Sequence, residues 1–133
     1  MKLLDTTFLI HYWAGHESVE DYLETHEEAE FLTTTLNIKE IAVGRALQDN
    51  LDPYEIHAIF RWVTIIPFRA EHAFTAGKLE AALHQNERIN RDKINSRAGD
   101  LLIASVAKEV GATVVTQNTD DFEIFDGVSV ENY

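Results

Sequence analysis

Acidic side chains that could bind a cation occur in four separate segments of the sequence: Asp5, Glu40, Asp100 and the pair Asp120 and Asp121. Carboxylate oxygens are the ligands that hard divalent cations prefer, and Mg²⁺ uses one or two of them together with water and substrate phosphate. The chain has no cysteine, which excludes thiolate ligands and disulfides. If these acids converge, they favour Mg²⁺, with Mn²⁺ as a substitute, over Zn²⁺.

Asp5 directly follows the apolar residues Leu3 and Leu4 and precedes Thr6. A strand that is buried on both faces has a continuous apolar run, and ligands of open α/β sheets bind outside the carboxyl ends of such strands. Asp5 therefore occupies a position typical of a site residue. Asp is also a preferred N-cap, so capping of the following helix is the simpler alternative.

Glu40 lies on what helical spacing predicts to be a single stripe of a helix over residues 36–48, with Leu36, Val43, Gly44 and Leu47. We expect the apolar members to face the core and the Glu40 carboxylate to point the same way. A buried carboxylate is costly unless it is paired or binds a metal. The alternative is a Glu at the edge of the stripe that reaches water, Arg45 or a backbone amide.

Asp100 opens a predicted helix over residues 99–110, with Ile103, Ala104 and Ala107 on the same side. A first-turn Asp is stabilised by the helix macrodipole wherever its side chain points, so the alternative is that Asp100 only stabilises its helix. Because the acid shares its side with apolar residues, we expect it to face inward.

The segment 116–122 follows a predicted strand over residues 112–116 and carries Asn118, Asp120 and Asp121. Asn118 is a plausible N-cap, with Asp121 three residues further on. The same position would bring their oxygens to the carboxyl end of the strand, where Asp5 also lies. Four segments therefore converge if the sheet is parallel.

Strands and helices alternate along the chain, which predicts a parallel sheet covered by helices on both faces. Asp52 and Pro53 mark one helix start clearly, as N-cap and first helical residue, and Gly111 is placed to end another helix. The strands are expected at 2–4, 30–34, 63–67, 112–116 and 128–130, and the helices at 7–14, 17–28, 36–48, 53–62, 69–84 and 99–110, with a helical turn near Asn118.

The composition predicts one globular domain spanning residues 1–133 with a net charge of −12. That charge argues against a broad electrostatic surface for nucleic acid. Residues 17–30 contain many acids and no Lys or Arg, which is typical of a solvated helix face, although a docking surface for a basic partner or adaptation to high salt would have the same composition. No signal peptide or membrane-spanning segment is evident, so we expect a cytoplasmic protein without membrane contact.

Basic residues cluster in the polar stretch 85–99, which its composition predicts to be a loop between helices. Loops carry function as well as solubilising charge. We therefore regard the members of this basic cluster as candidate contacts to RNA phosphates: Arg88, Arg91, Lys93 and Arg97.

Several motifs together resemble PIN-domain nucleases, in particular the toxins of VapBC toxin–antitoxin pairs. The opening residues 3–7 resemble the first motif, residues 35–44 the second, residues 100–104 the third and residues 115–122 the fourth, while residues 130–133 resemble the usual end of these toxins. The resemblance implies a Rossmann-like three-layer α/β fold with a central parallel sheet of four to five strands in the order 3-2-1-4-5. It also implies Mg²⁺-dependent cleavage of RNA, a homodimer, and a VapB-like antitoxin that blocks the site.

In this resemblance Asp5, Glu40 and Asp100 match the three core acids that hold the metal. Many PIN domains have Asp where this chain has Asn118, and Asp121 is then the fourth catalytic and metal-binding acid, with Asp120 a weaker candidate. Thr6 matches a small polar residue that supports the first acid, and Asn118 would orient waters or ligands.

Two other functions fit parts of the pattern. A catalytically weak or inactive PIN-fold module that only docks an antitoxin or another partner is consistent with Asn118 in place of an acid. A phosphatase that forms an aspartyl-phosphate would also use a strand-end Asp, but such enzymes typically carry Asp-x-Asp, and the residue two after Asp5 is Thr7.

Overall fold

A computed structural model describes the whole chain, residues 1–133. Its centre is a parallel sheet with the strand order β3-β2-β1-β4-β5, which confirms the order 3-2-1-4-5. The strands are β1 (Lys2–Leu4), β2 (Phe31–Thr34), β3 (Thr64–Ile66), β4 (Thr113–Val115) and β5 (Val130–Glu131).

Helices cover both faces of this sheet and form the two outer layers of the fold. They are α1 (Thr6–Ala14), α2 (Glu17–Thr25), α3 (Thr35–Leu47), α4 (Pro53–Ile59), α5 (Ala70–Gln85), α6 (Arg91–Ser96), α7 (Ala98–Val110) and α8 (Asp120–Glu123). None of these helices is both long enough and apolar enough to cross a bilayer.

The strands have continuous apolar sequences because the sheet separates two hydrophobic cores. Successive side chains of a strand point to opposite faces of the sheet. Leu3 of β1 and Val114 of β4 pack with α5 and α7, whereas Leu4 and Val115 pack with α1, α2 and α4. Both central strands are therefore buried on both sides, as their continuous apolar sequences predict.

The strand register brings the ends of β1, β2 and β4 to one edge of the sheet. Leu4 pairs with Val115, and the Asp5 backbone N–H donates to the Val115 carbonyl oxygen at 3.1 Å. Leu3 pairs with Leu32, so β2 reaches Thr34 at the same edge. The segments that follow these strands are consequently neighbours, although they are far apart in sequence.

Most element boundaries agree with the predicted ones to within a few residues, and two local signals behave as predicted. The Asp52 side chain caps α4 by accepting from the Tyr54 and Glu55 backbone N–H groups at 3.0 and 3.4 Å. Gly111 ends α7 with a left-handed φ of 75°, a conformation that side chains with a Cβ disfavour.

The polar stretch 85–99 is not a continuous loop, which corrects our prediction for it. It contains α6, which begins after Asn90, whose side chain accepts from the Lys93 backbone N–H at 2.8 Å. Ile94 is buried against the α5 and α7 core. The N-cap and the buried Ile94 stabilise α6, because a helix this short is stabilised by tertiary packing rather than by helix propensity.

Candidate active site

Asp5 lies at the carboxyl edge of the sheet and is only 7% exposed. The Thr116 hydroxyl donates to its Oδ2 at 2.9 Å, and the Asn37 amide donates to its Oδ1 at 3.4 Å. Asp5 occupies the N-cap position of α1, but its side chain makes no capping hydrogen bond, so the capping alternative is wrong. Burial raises the pKa of Asp5, and the nearby charge of Asp121 raises it further.

Asn37 is completely buried and joins three segments at this edge. Its amide nitrogen also donates to the Thr6 hydroxyl at 2.9 Å, and its carbonyl oxygen accepts from the Thr34 hydroxyl at 2.6 Å. The Thr34 hydroxyl in turn accepts from the Asn37 backbone N–H at 3.2 Å and caps α3. The start of α3 is thereby attached to the Asp5 segment.

The inward stripe predicted for Glu40 is wrong. Glu40 is an exposed residue, and two other members of that stripe, Val43 and Leu47, are 46% and 84% exposed. The buried residues of α3 are instead Asn37 and Ile41. The reason is the N-cap of α3. Because Thr34 and Asn37 bond to each other and are both buried, they determine which side of α3 faces the sheet.

Glu40 nevertheless stays within electrostatic reach of Asp5, because it lies one turn after Asn37. Desolvation raises the pKa of Glu40, and the charge of Asp5 raises it further, while Lys39 opposes this effect. Glu40 also lines a groove between α1 and α3, of about 350 Å³, together with Ile10 and Trp13.

Asp100 is half-buried in the first turn of α7. Ile103, Ala104 and Ala107 are fully buried below it, as the predicted inward side of this helix requires. Desolvation raises the pKa of Asp100 from 3.8 to about 6, and the charges of Asp5 and Asp121 contribute. The carboxyl is therefore in a site that disfavours its negative charge.

The segment after β4 brings Asp121 to the same edge, where its Oδ1 forms an ion pair with Arg97 Nη2 at 2.9 Å. Asp121 is half-buried, whereas Asp120 and Asn118 are exposed. The N-cap of α8 is Thr119 rather than Asn118, and no side chain caps this helix, so the predicted capping role of Asn118 is wrong. The Asn118 backbone N–H instead donates to the Thr116 hydroxyl at 3.0 Å.

The basic cluster predicted from the sequence is divided in the structure. Arg88, Arg91 and Lys93 are exposed to solvent, and only Arg97 is paired with an acid of the site. The charge of Arg97 also counteracts the rise in the pKa of Asp100.

Two buried residues of the site, Asn37 and Thr116, were not predicted as site residues. For Asn37 a signal existed, since Thr34-x-x-Asn37 has the spacing of a capping box at a strand–helix junction. Thr116 is the first residue after β4, which makes it equivalent to Asp5 after β1. Residues at corresponding strand ends are the ones that meet in a parallel sheet.

The donor set fits a hard divalent cation. All four acids offer oxygen ligands, and burial together with like charges at one edge raises the pKa values of Asp5, Glu40 and Asp100. A divalent cation would relieve that repulsion. As they stand, no three Asp, Glu or His side chains are grouped closely enough to hold an ion together, so binding requires the side chains to converge.

Comparison with known proteins identifies the architecture. A family model described as the PIN domain matches residues 2–128. The chain belongs to the PIN domain family. PIN domains are in general nucleases that use divalent metal ions, which agrees with the acidic edge of this PIN domain. None of the curated proteins matches the chain significantly.

Solved structures with a similar fold come from bacterial complexes. VapBC2 from Rickettsia felis, bound to a DNA fragment from the promoter, contains a chain with 22% identity and a TM-score of 0.77, with 99% of this PIN domain and 98% of that chain covered. FitAcB from Neisseria gonorrhoeae contains a chain with 26% identity and a TM-score of 0.71, with 99% of this PIN domain and 97% of that chain covered. A toxin–antitoxin complex from Klebsiella pneumoniae contains a chain with 21% identity and a TM-score of 0.68, with 96% of this PIN domain and 95% of that chain covered.

Asn37→Ala tests the buried network around Asp5. The change leaves the partners of Asn37 with unfilled hydrogen bonds in a closed environment, so we expect it to lower the free energy of unfolding by about 2–4 kcal/mol. Chemical denaturation measures the difference. The matched control is Asn118→Ala, which removes an exposed amide with no side-chain hydrogen bond and should change stability by less than about 0.5 kcal/mol. Equal effects of the two changes would contradict the structural role of Asn37.

Asp100→Asn tests the electrostatics of the site through pH. Because the pKa of Asp100 is about 6 in the folded protein and 3.8 ordinarily, the folded state retains a proton that the unfolded chain releases. The free energy of unfolding should therefore fall as pH rises between these values. Without divalent ions, we expect Asp100→Asn to gain stability relative to the wild type from about pH 5 to about pH 7.5.

Urea denaturation in EDTA at both pH values measures this gain. Asp126→Asn removes one negative charge from an exposed position and is the control, with a similar effect at both pH values. A stability difference between Asp100→Asn and the wild type that does not change with pH would show that the Asp100 carboxyl is not perturbed.

Proposed function

We propose that this PIN domain is a Mg²⁺-dependent endoribonuclease and acts as the toxin of a VapBC-type toxin–antitoxin pair. The observation that carries the proposal is that Asp5, Glu40, Asp100 and Asp121 lie around one sheet edge, where burial and neighbouring carboxylate charges raise the pKa values of Asp5, Glu40 and Asp100. A cluster of carboxylates without His or Cys suits Mg²⁺, or Mn²⁺ in its place. Membership of a nuclease family supports the same reaction class.

In the proposed site Asp5, Glu40 and Asp100 hold the ion directly or through water, and Asp121 supports the ion or the attacking water. When bound, Mg²⁺ activates water for attack on the phosphodiester and neutralises the departing oxygen. Thr116 and Asn37 keep both Asp5 oxygens in position by hydrogen bonds. Thr6, which is buried against Asn37, and the exposed residues Asn118 and Asp120 are supporting residues of the proposed site.

RNA binding has to overcome the net charge of −12. A divalent ion offsets the local negative field at the acids. We propose that the exposed residues Arg88, Arg91 and Lys93, together with the neighbouring Arg97, contact the RNA backbone next to the site. Contacts of this kind are electrostatic and independent of base sequence.

An antitoxin partner is proposed from the similar structures, of which one is a toxin–antitoxin complex and others are VapBC and FitAcB assemblies. Half of the residues that line the groove between α1 and α3 are apolar, and Glu40 lies in its wall, so a partner side chain inserted there would lie beside the site. We also propose a homodimer, for which Leu47, Tyr54 and Phe74 are available as exposed apolar side chains.

The second candidate function is a PIN-fold module that binds an antitoxin or another partner without cleaving RNA. It is favoured by one observation, namely that no three acids of the site are already grouped to hold an ion. Titration with Mn²⁺ separates the two functions. Saturable binding that disappears in Asp100→Asn supports the nuclease, and the absence of saturable binding supports the module.

Removal of the metal or of its acids should abolish cleavage. We expect the purified wild-type protein to cleave RNA with Mg²⁺ or Mn²⁺ and to lose this activity in EDTA. The variants Asp5→Asn and Asp100→Asn should each retain less than about one hundredth of the wild-type cleavage rate. Gel analysis of defined RNA substrates measures the rates, and circular dichroism checks that the variants are folded. Cleavage that survives EDTA or persists in both variants would rule out the proposed mechanism.

A pair of adjacent acids provides the matched control. Asp121→Asn changes an acid of the site, whereas Asp120→Asn changes an exposed neighbour. Asp121→Asn should cost more activity than Asp120→Asn, and the opposite order would make Asp120 the fourth acid.

The exposed basic residues of α6 should determine part of the salt dependence of RNA binding. In the inactive Asp100→Asn background, we expect the double change Arg91→Gln and Lys93→Gln to weaken binding and to reduce the slope of log K against log salt by about 0.7 for each phosphate that is no longer neutralised. Fluorescence anisotropy with a labelled RNA measures both quantities. Arg61→Gln with Lys78→Gln removes two exposed charges elsewhere and is the control. A slope that equals that of the control would remove Arg91 and Lys93 from the interface.

A further inference from the structure

Arg97 is the cation that the fold brings to the acidic edge. It lies at the junction of two helices, as the C-cap of α6 and the N-cap of α7. One nitrogen of its guanidinium, Nη2, pairs with Asp121 Oδ1 at 2.9 Å, and its charge also stabilises the ionised form of Asp100, which lies three residues later. Arg97 therefore acts on two of the four acids.

The ion pair of Arg97 is incomplete. The guanidinium carries five donors in a fixed fork that suits bidentate pairing with a carboxylate. Here only Nη2 pairs with Asp121, while the buried Nε has no hydrogen-bond partner. Both side chains are about a quarter to a third exposed, at 26% and 30%. A single hydrogen bond of this kind is easily exchanged for another partner.

Asp121 cannot serve Arg97 and a divalent ion equally. Arg97 pairs only with Oδ1 of Asp121, so a divalent ion bound to this carboxylate would lie next to the guanidinium and be repelled by its charge. The carboxylate that α8 contributes to the site is already paired with one positive charge while no metal is bound. A cation that binds there has to displace the Arg97 contact or bind against its positive charge.

We propose that Arg97 is an internal counter-ion that neutralises Asp121 in the metal-free site and competes with the divalent cation for this carboxylate. The inference rests on the proposed function, since it assumes that the acids bind a metal. Arg97 is then a residue that sets the affinity for the cation rather than a catalytic residue. It stabilises the empty acidic edge at the cost of weaker metal binding.

Arg97→Met is the informative change, because methionine keeps much of the buried stem and removes both the charge and the unpaired Nε. We expect Mn²⁺ to bind about 5–10-fold more tightly than to the wild type, which is within the range of coupling between competing ligands. In EDTA the variant should melt at a lower temperature, since the acids lose their counter-ion. The increase in melting temperature caused by saturating Mn²⁺ should be larger than in the wild type.

The affinity is measured from free Mn²⁺ by electron paramagnetic resonance, and melting is followed by circular dichroism. Arg97→Lys retains the charge and should stay close to the wild type in both measurements. Arg61→Met removes an exposed charge away from the site and should change neither measurement. Arg97→Gln replaces Arg97→Met if that variant does not fold.

Failure of this inference is distinguishable from failure of the proposed function. If the wild type binds Mn²⁺ and Arg97→Met binds it equally or more weakly, competition by Arg97 is overturned and the metal site stands. If only the variant binds Mn²⁺, the competition is supported. If neither binds Mn²⁺, the inference is overturned together with the metal role of the acids.

Discussion

The structure depends on one buried carboxylate, Asp5, whose hydrogen bonds come from two distant segments. A carboxyl side chain that is 7% exposed has to find its hydrogen bonds inside the protein, and Thr116 and Asn37 supply them from the end of β4 and the start of α3. Because Asn37 also binds Thr34, the requirement of Asp5 determines how α3 leaves β2. A single polar constraint thus orders three strand ends at the edge that carries the other acids.

The acids at this edge lie in positions that disfavour their negative charges. Desolvation and mutual repulsion raise the pKa values of Asp5, Glu40 and Asp100, and the chain as a whole carries a charge of −12. Perturbed groups of this kind cluster at functional sites, since nothing in the packing of the core requires them. The partial compensation by Arg97 resembles what a bound cation would do, with one charge in place of two.

The PIN fold provides the geometry that makes such a site possible. Its parallel strands are short, and each is buried between helical layers, with Leu3 and Leu4 of β1 pointing into opposite cores. The sheet therefore has no polar face, and the polar residues collect where the strands end. Similar structures with identities of 21–26% retain this architecture, which indicates that the layer pattern rather than individual side chains defines the fold.

The sequence by itself determined the alternation of strands and helices, the cap at Asp52 and the inward side of α7 below Asp100, because these features depend on local spacing. The motifs of the family then indicated the strand order. Only the tertiary structure decided that Asn37, and not Glu40, faces the interior, because helical periodicity cannot weigh a buried cap against an apolar stripe. It also decided the partners of Asp5 and the pairing of Arg97 with Asp121. These interactions join residues up to 111 positions apart, and no local pattern encodes them.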